Sequence, residues 1–236
     1  MALTWRLLQI GTTGDDLKTT IRIGDMDYSV NVSKIPYFAS FVRLQKITQP
    51  EATEFIHEPI NLFDVALKGV ERGYRQCFGS LPTDLSQYRT LFETYKFLNV
   101  DVLSGMSINE VIANLKVGKA DYDPEERRSI PGNKSLARDT AFQLLYLILH
   151  TQFGDESKDS MNLFNAVMFV VSHPGTFEYR TKRVTRVAYE ERFRLTTKQK
   201  ARLDQWEKGE TVNNATDVTT EEEPDYYFDS DSDYSF

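Results

Sequence analysis

The chain has one cysteine, three histidines and two tryptophans in 236 residues, and the cysteine and histidine scarcity removes whole classes of chemistry. With Cys77 alone, no intrachain disulfide can form and no Cys-x-x-Cys redox pair exists, which fits a reducing compartment. His57, His150 and His173 lie far apart and form neither an HxxxH nor an HExxH pair, so no metal site and no cofactor are expected. Long apolar runs are missing too. The two most apolar stretches, Ala141 to Leu149 and Met161 to Val171, fall well short of the roughly 20 residues a membrane helix needs. Met1 to Arg6 shows no charged segment leading into a long apolar one, so no secretory signal is expected. These absences imply a soluble chain of the cytoplasm, the nucleus or both. Gly11-Thr12-Thr13-Gly14 lacks the lysine and spacing of a phosphate loop, and Ser129 and Ser135 sit in no nucleophile-elbow pattern. No catalytic residue emerges, and an enzyme is not expected.

Bases are absent from the C-terminal end. From Asp217 to Phe236 there are eight acids and no lysine or arginine, so most of the net charge of −7 resides there. Removing that tail leaves 28 bases against 27 acids. Within the remainder, Arg180 to Arg202 holds nine bases and two acids. A basic stretch and an acidic tail therefore stand close together in sequence.

The pattern of apolar residues predicts an α+β fold. Thr20–Ile23 and Tyr28–Asn31 alternate apolar and polar residues around Gly24-Asp25-Met26-Asp27, the pattern of a β-hairpin with one buried face. Ile35, Phe38, Phe41 and Val42 recur at helical spacing, with Pro36 suited to a first turn. A third strand is expected from Phe55 to Ile60, then a helix capped by Asn61 and running to about Phe78. Asp84 with Gln87 resembles a capping box for a helix whose face is Leu85, Tyr88, Leu91, Phe92, Tyr95 and Leu98. Ser107 with Glu110 opens another, ending near Val117. Leu136–His150 and Met161–Val171 are apolar nearly all round, which marks buried helices, and Leu144, Leu145, Phe164 and Phe169 are expected to be inaccessible. Thr196 with Gln199 caps a last helix ending at Gly209. Beyond it the chain loses apolar periodicity and should be disordered.

Residues 18–105 resemble a BTB/POZ domain, closest to the divergent BTB-like proteins common in fungi. The resemblance rests on the hairpin Ile21-Arg22-Ile23-Gly24-Asp25 to Tyr28-Ser29-Val30, and on Pro36-Tyr37-Phe38 opening a helix. The strand at Phe55, the helix from Phe63 toward Leu81-Pro82, and Leu91 to Leu98 with Val100 and Leu103 follow in the family's order. The family's His-Lys after the second strand is replaced by Val32-Ser33-Lys34, and no hydrophobic-x-Glu element follows Phe41. That element supports cullin binding in some members. The resemblance implies a BTB/POZ-like small sheet with helices, contact with other proteins, self-association and no catalysis. The expected organisation is a leading segment 1–17, a BTB/POZ-like domain 18–106, a helical extension 107–209 and an acidic, aromatic tail 210–236.

Two segments stand out for binding. Arg180, Lys182, Arg183 and Arg186 follow Phe177 and Tyr179, an interleaving of bases and aromatics that can track a phosphate backbone. The plainer reading is a helix with a solvated basic face, Val184, Val187 and Ala188 supplying its buried side. In the tail, Tyr226, Tyr227 and Phe228 add aromatic surface to an acidic segment, and Ser230 and Ser232 lie among acids, as substrates of an acid-directed kinase do. The leading function is a non-catalytic protein-interaction module or adaptor with an acidic regulatory tail. The alternative is a nucleic-acid-associated regulator using residues 180–202.

Overall fold

A computed structural model describes residues 18–115, 134–150, 156–173 and 175–207. Over these the fold is α+β, with a small sheet at the N-terminal end and helices elsewhere. Strands β1 (Lys18–Ile23) and β2 (Met26–Asn31) form the hairpin, pairing Thr19 with Val30, Ile21 with Tyr28 and Ile23 with Met26. Gly24 takes φ of 57° in the two-residue turn, a conformation glycine adopts without a Cβ penalty. Strand β3 (Phe55–His57) adds parallel to β1, giving the order β2-β1-β3. Ile21, Ile23 and Val30 face the core, while Thr20, Arg22, Asp27, Ser29 and Ile56 are exposed. The third strand is shorter than expected from its apolar run. It stops before Pro59, which has no N–H to donate to a ladder.

Helix α1 (Pro36–Thr48) connects β2 to β3 and buries Phe38 and Val42. The single helix expected from Asn61 to Phe78 is two, α2 (Phe63–Arg72) and α3 (Arg75–Ser80). Asn61 does not cap α2. Leu62 holds the N-cap position at φ 52° without a side-chain bond, and the Asn61 carbonyl instead accepts the Thr94 hydroxyl at 2.7 Å. The break falls at Gly73, at φ 97°, where a Cβ would lie 2.5 Å from the Arg75 guanidinium and 2.8 Å from the Asp139 carboxylate. A residue with a side chain would fill the space that this ion pair occupies.

Helix α4 (Leu85–Phe97) is capped by Asp84, whose carboxylate accepts the Ser86 N–H at 2.9 Å, and its predicted face is buried throughout. Helix α5 (Ile108–Leu115) has the reciprocal Ser107–Glu110 box. Helices α6 (Lys134–His150), α7 (Glu156–Ser172), α8 (Tyr179–Arg192) and α9 (Thr197–Glu207) complete the described chain, α9 opening on the Thr196–Gln199 box. Leu144, Leu145 and Phe164 are inaccessible; Phe169 is only half-buried, lying 5.2 Å from the His173 ring and 6.1 Å from Phe177. One apolar cluster runs from Ile21 in the sheet to Leu203 in α9, so the N-terminal unit and the helices after it share a core. No described helix is long and apolar enough to cross a membrane.

Candidate interaction surfaces

Helix α8 is built from the segment whose bases drew attention in the sequence. Thr181, Val184, Thr185, Ala188 and Tyr189 are buried, which fixes its inner side and leaves the basic residues to the flanks. Those bases have different roles. Arg180 points its Nη1 at the carbonyls of Phe78, Gly79 and Leu81, at 3.2, 3.0 and 3.2 Å, and so satisfies the C-terminal end of α3. Arg186 is 8% exposed; its guanidinium donates to Glu190 at 2.8 Å and to Asp204 on α9. Arg192 donates to the Ile148 carbonyl at 2.7 Å, in the last turn of α6. Six helical residues advance about 240° around the axis. Arginines at 180, 186 and 192 therefore project in three directions, to α3, α9 and α6.

Lys182 is half-buried, and desolvation lowers its pKa from the ordinary lysine range. Arg183 is exposed and donates to the Tyr179 hydroxyl at 3.1 Å. Thus Arg180 and Arg186 have internal roles, and Arg183 and Lys182 remain at the surface. Of the wider basic stretch, Arg194, Lys198, Lys200 and Arg202 are exposed and have no acidic partner among the described residues. Tyr226, Tyr227, Phe228, Ser230 and Ser232 lie outside the described residues.

The opposite end of α3 is satisfied by α6. The Asp139 carboxylate accepts the Arg75 N–H through Oδ1 at 2.7 Å and the Arg75 guanidinium through Oδ2 at 2.7 Å. Both side chains are less than a third exposed. A six-residue helix of the N-terminal unit thus has each end tied to a different helix of the C-terminal half.

A second surface lies on the N-terminal unit. Tyr37 and Phe41 from α1, His57 from β3 and Phe97 from the end of α4 form an aromatic cluster, with Tyr37 and Phe97 centroids 4.6 Å apart. His57 is held by two hydrogen bonds: its Nδ1–H donates to the Glu58 carbonyl at 2.7 Å, and its Nε2 shares a bond with the Tyr37 hydroxyl at 2.6 Å. Beside it opens a groove of about 350 Å³ lined by Pro59, Ile60, Thr90, Phe97, Glu58 and Glu93, among others. Two acids, Glu58 and Glu93, and no lysine or arginine line it. On α1, Leu44 and Ile47 are 62% and 67% exposed, and on β3 Ile56 is 56% exposed. Phe97 carried a legible signal. It lies off the stripe of Leu91, Phe92, Tyr95 and Leu98, and a large aromatic off its helix's buried stripe must face outward.

Cys77 is buried, its sulfur 3.3 Å from the Tyr95 hydroxyl, and burial pushes its thiol up to about 12. It is a thiol, not a thiolate, at neutral pH. A Cβ on Gly69 would sit 2.1 Å from that tyrosine oxygen and 2.9 Å from the sulfur, so α2 needs glycine at this crossing. Among the described residues no group of three His, Cys, Asp or Glu is placed to hold a metal ion. No family model matches the chain, and neither does any curated protein or solved structure.

Proposed function

We propose that the protein is a non-catalytic protein-interaction module, with a BTB/POZ-like unit at residues 18–106 and a helical extension that buttresses it, working in the cytoplasm or nucleus. The observation that carries the reading is the exposed apolar surface of α1 and β3. Leu44, Ile47 and Ile56 are all more than half exposed on an otherwise well-packed unit that also carries the groove at Phe97. Large side chains left in water beside a packed core mark surfaces that another chain covers. The order of elements supports the family resemblance: a hairpin, one helix, a parallel third strand on β1, then helices.

The first partner to test is a second copy. Sedimentation equilibrium at micromolar concentration should give a dimer mass, and Leu44→Glu with Ile47→Glu should return it to monomer. A monomer from the unaltered chain discards self-association and leaves the surface to a different protein. The nucleic-acid alternative is less well supported, because Arg180 and Arg186 already bond within the fold.

A further inference from the structure

One run of bases without acidic partners stands out from the cations scattered elsewhere on the described surface. Arg194, Lys198, Lys200 and Arg202 fall within nine residues, all exposed, none with an acidic partner among the described residues. Arg194 lies in the link before α9, and Lys198, Lys200 and Arg202 lie on α9 ahead of the residues that dock it. Leu203 is buried, α9 packs chiefly on α7, and the bond from Arg186 to Asp204 ties α9 to the middle of α8. The outer face of α8 presents Tyr179, Arg183 and Val187 at four-residue spacing, with Tyr179 61% and Val187 37% exposed. The surface therefore combines unpaired positive charge with scattered apolar and aromatic area.

We propose that the acidic segment 217–236 of this same chain occupies the α8–α9 face and shields it from anionic partners. Charge and reach both favour this occupant. The segment has eight acids and no base, and its aromatic residues include Tyr226, Tyr227 and Phe228. Charge thus meets the α9 cations, and aromatic rings meet Tyr179 and Val187. Asp217 lies ten residues beyond Glu207, the last residue of α9. A coil of that length spans about 16–19 Å, close to the ~16 Å length of α9 itself. Tyr226 is nineteen residues beyond Glu207, a span of about 22–26 Å against ~21 Å for α8. Tethering at such distances supplies an effective concentration in the millimolar range, so weak intrinsic affinity suffices. The groove beside His57 is the wrong place for the segment, since Glu58 and Glu93 would repel it. Phosphate on Ser230 or Ser232 would add negative charge and tighten the contact. The contact does not depend on the N-terminal unit's being BTB/POZ-like.

The test uses the full chain and two variants. In one, Arg194, Lys198, Lys200 and Arg202 are replaced by glutamine; in the other, the eight acids of 217–236 are replaced by their amides. Amide resonances of residues 226–236 in the unaltered chain should shift between 20 and 500 mM salt, on the order of the range over which screening becomes severe. In the four-base variant they should hold their high-salt positions at both concentrations. Core resonances should be the same in both proteins, because the four side chains are exposed. Heparin, used as the anionic probe, should bind the amide variant more than about tenfold tighter than the unaltered chain at low salt. Tail resonances indifferent to the four substitutions, or equal heparin affinity in the two chains, would overturn the proposal.

Discussion

The two halves of the molecule present opposite surfaces over a common core. The N-terminal unit leaves apolar side chains in water on α1 and β3, Leu44, Ile47 and Ile56 among them, and lines its groove with two acids. Among the described residues, the C-terminal helices leave fewer large apolar side chains in water, Leu136, Tyr179 and Val187, and expose a run of bases. The difference bears on how each can bind. Apolar contact is not weakened by salt and needs shape, whereas binding at the proposed α8–α9 face would act through charge and weaken as salt rises. One chain thus carries two surfaces that respond to different conditions, held at a fixed separation by the shared core.

The same substitution in the two halves gives the sharpest contrast. Leu145 is fully buried in α6, and Leu145→Ala should cost about 2–5 kcal/mol through lost burial and the cavity left behind. Leu44 is 62% exposed on α1, and Leu44→Ala should change stability by no more than about 0.5 kcal/mol. Urea unfolding of the three proteins measures both. A loss below about 1 kcal/mol at Leu145 would mean that α6 is not central, and a large loss at Leu44 would mean that α1 is already covered within the monomer.

The joint between the halves comes next in size. Asp139 satisfies the start of α3 and Arg180 its end, so at α3 the two halves meet through hydrogen bonds as well as apolar packing, as they also do at Gln143–Val102 and Arg89–Glu191. Asp139→Ala should cost about 1.5–3 kcal/mol, because it leaves the part-buried Arg75 guanidinium and N–H without their acceptor. Asp139→Asn keeps one acceptor oxygen and should recover part of that loss. If hydrogen exchange in α3 is unchanged in Asp139→Ala, the ion pair does not hold the joint.

How much of this was legible beforehand depended on whether the signal was local. Caps and stripes are local, so the Ser107–Glu110 and Thr196–Gln199 boxes and the buried face of α4 could be read directly from spacing. The break at Gly73 is only partly local: the glycine is visible, but the Asp139 carboxylate that with Arg75 fills the space beside it lies 66 residues away in sequence. The division of labour among the arginines of α8 was hidden for the same reason. Which base meets a carbonyl, a carboxylate or water depends on neighbours that the spacing of bases does not reveal. The aromatic groove falls between these cases: Phe97 is visibly off its stripe, but its meeting with His57 and Tyr37 requires the parallel placement of β3.

The smallest expected effect concerns His150, at the C-terminal end of α6 where it meets the N-terminal unit. Its ring stacks on Tyr146 at 5.2 Å and meets the edge of Phe92 at 5.4 Å, and its Nε2 is buried without a hydrogen-bond partner among the described residues. Desolvation lowers its pKa from the ordinary 6.5; Glu93 opposes that shift, while Lys96, Arg89 and Arg192 add to it. The folded chain therefore holds this imidazole neutral at pH values where the unfolded chain would already have protonated it. In that window the unfolded state binds more protons, so stability falls as pH drops. The stabilisation is complete above about 6.5, declines below it, and is lost once the pH has passed the lowered folded value. Replacing His150 with Phe keeps the aromatic packing and removes the titration. The urea midpoint of the unaltered chain should fall more between pH 7 and 5, the range in which an ordinary histidine titrates, than that of His150→Phe. Because the ring is partly open to solvent, the difference should be well below that of Asp139→Ala. Parallel pH profiles for the two proteins would show that protonation at this contact costs the fold nothing, and that the halves are joined there by packing alone.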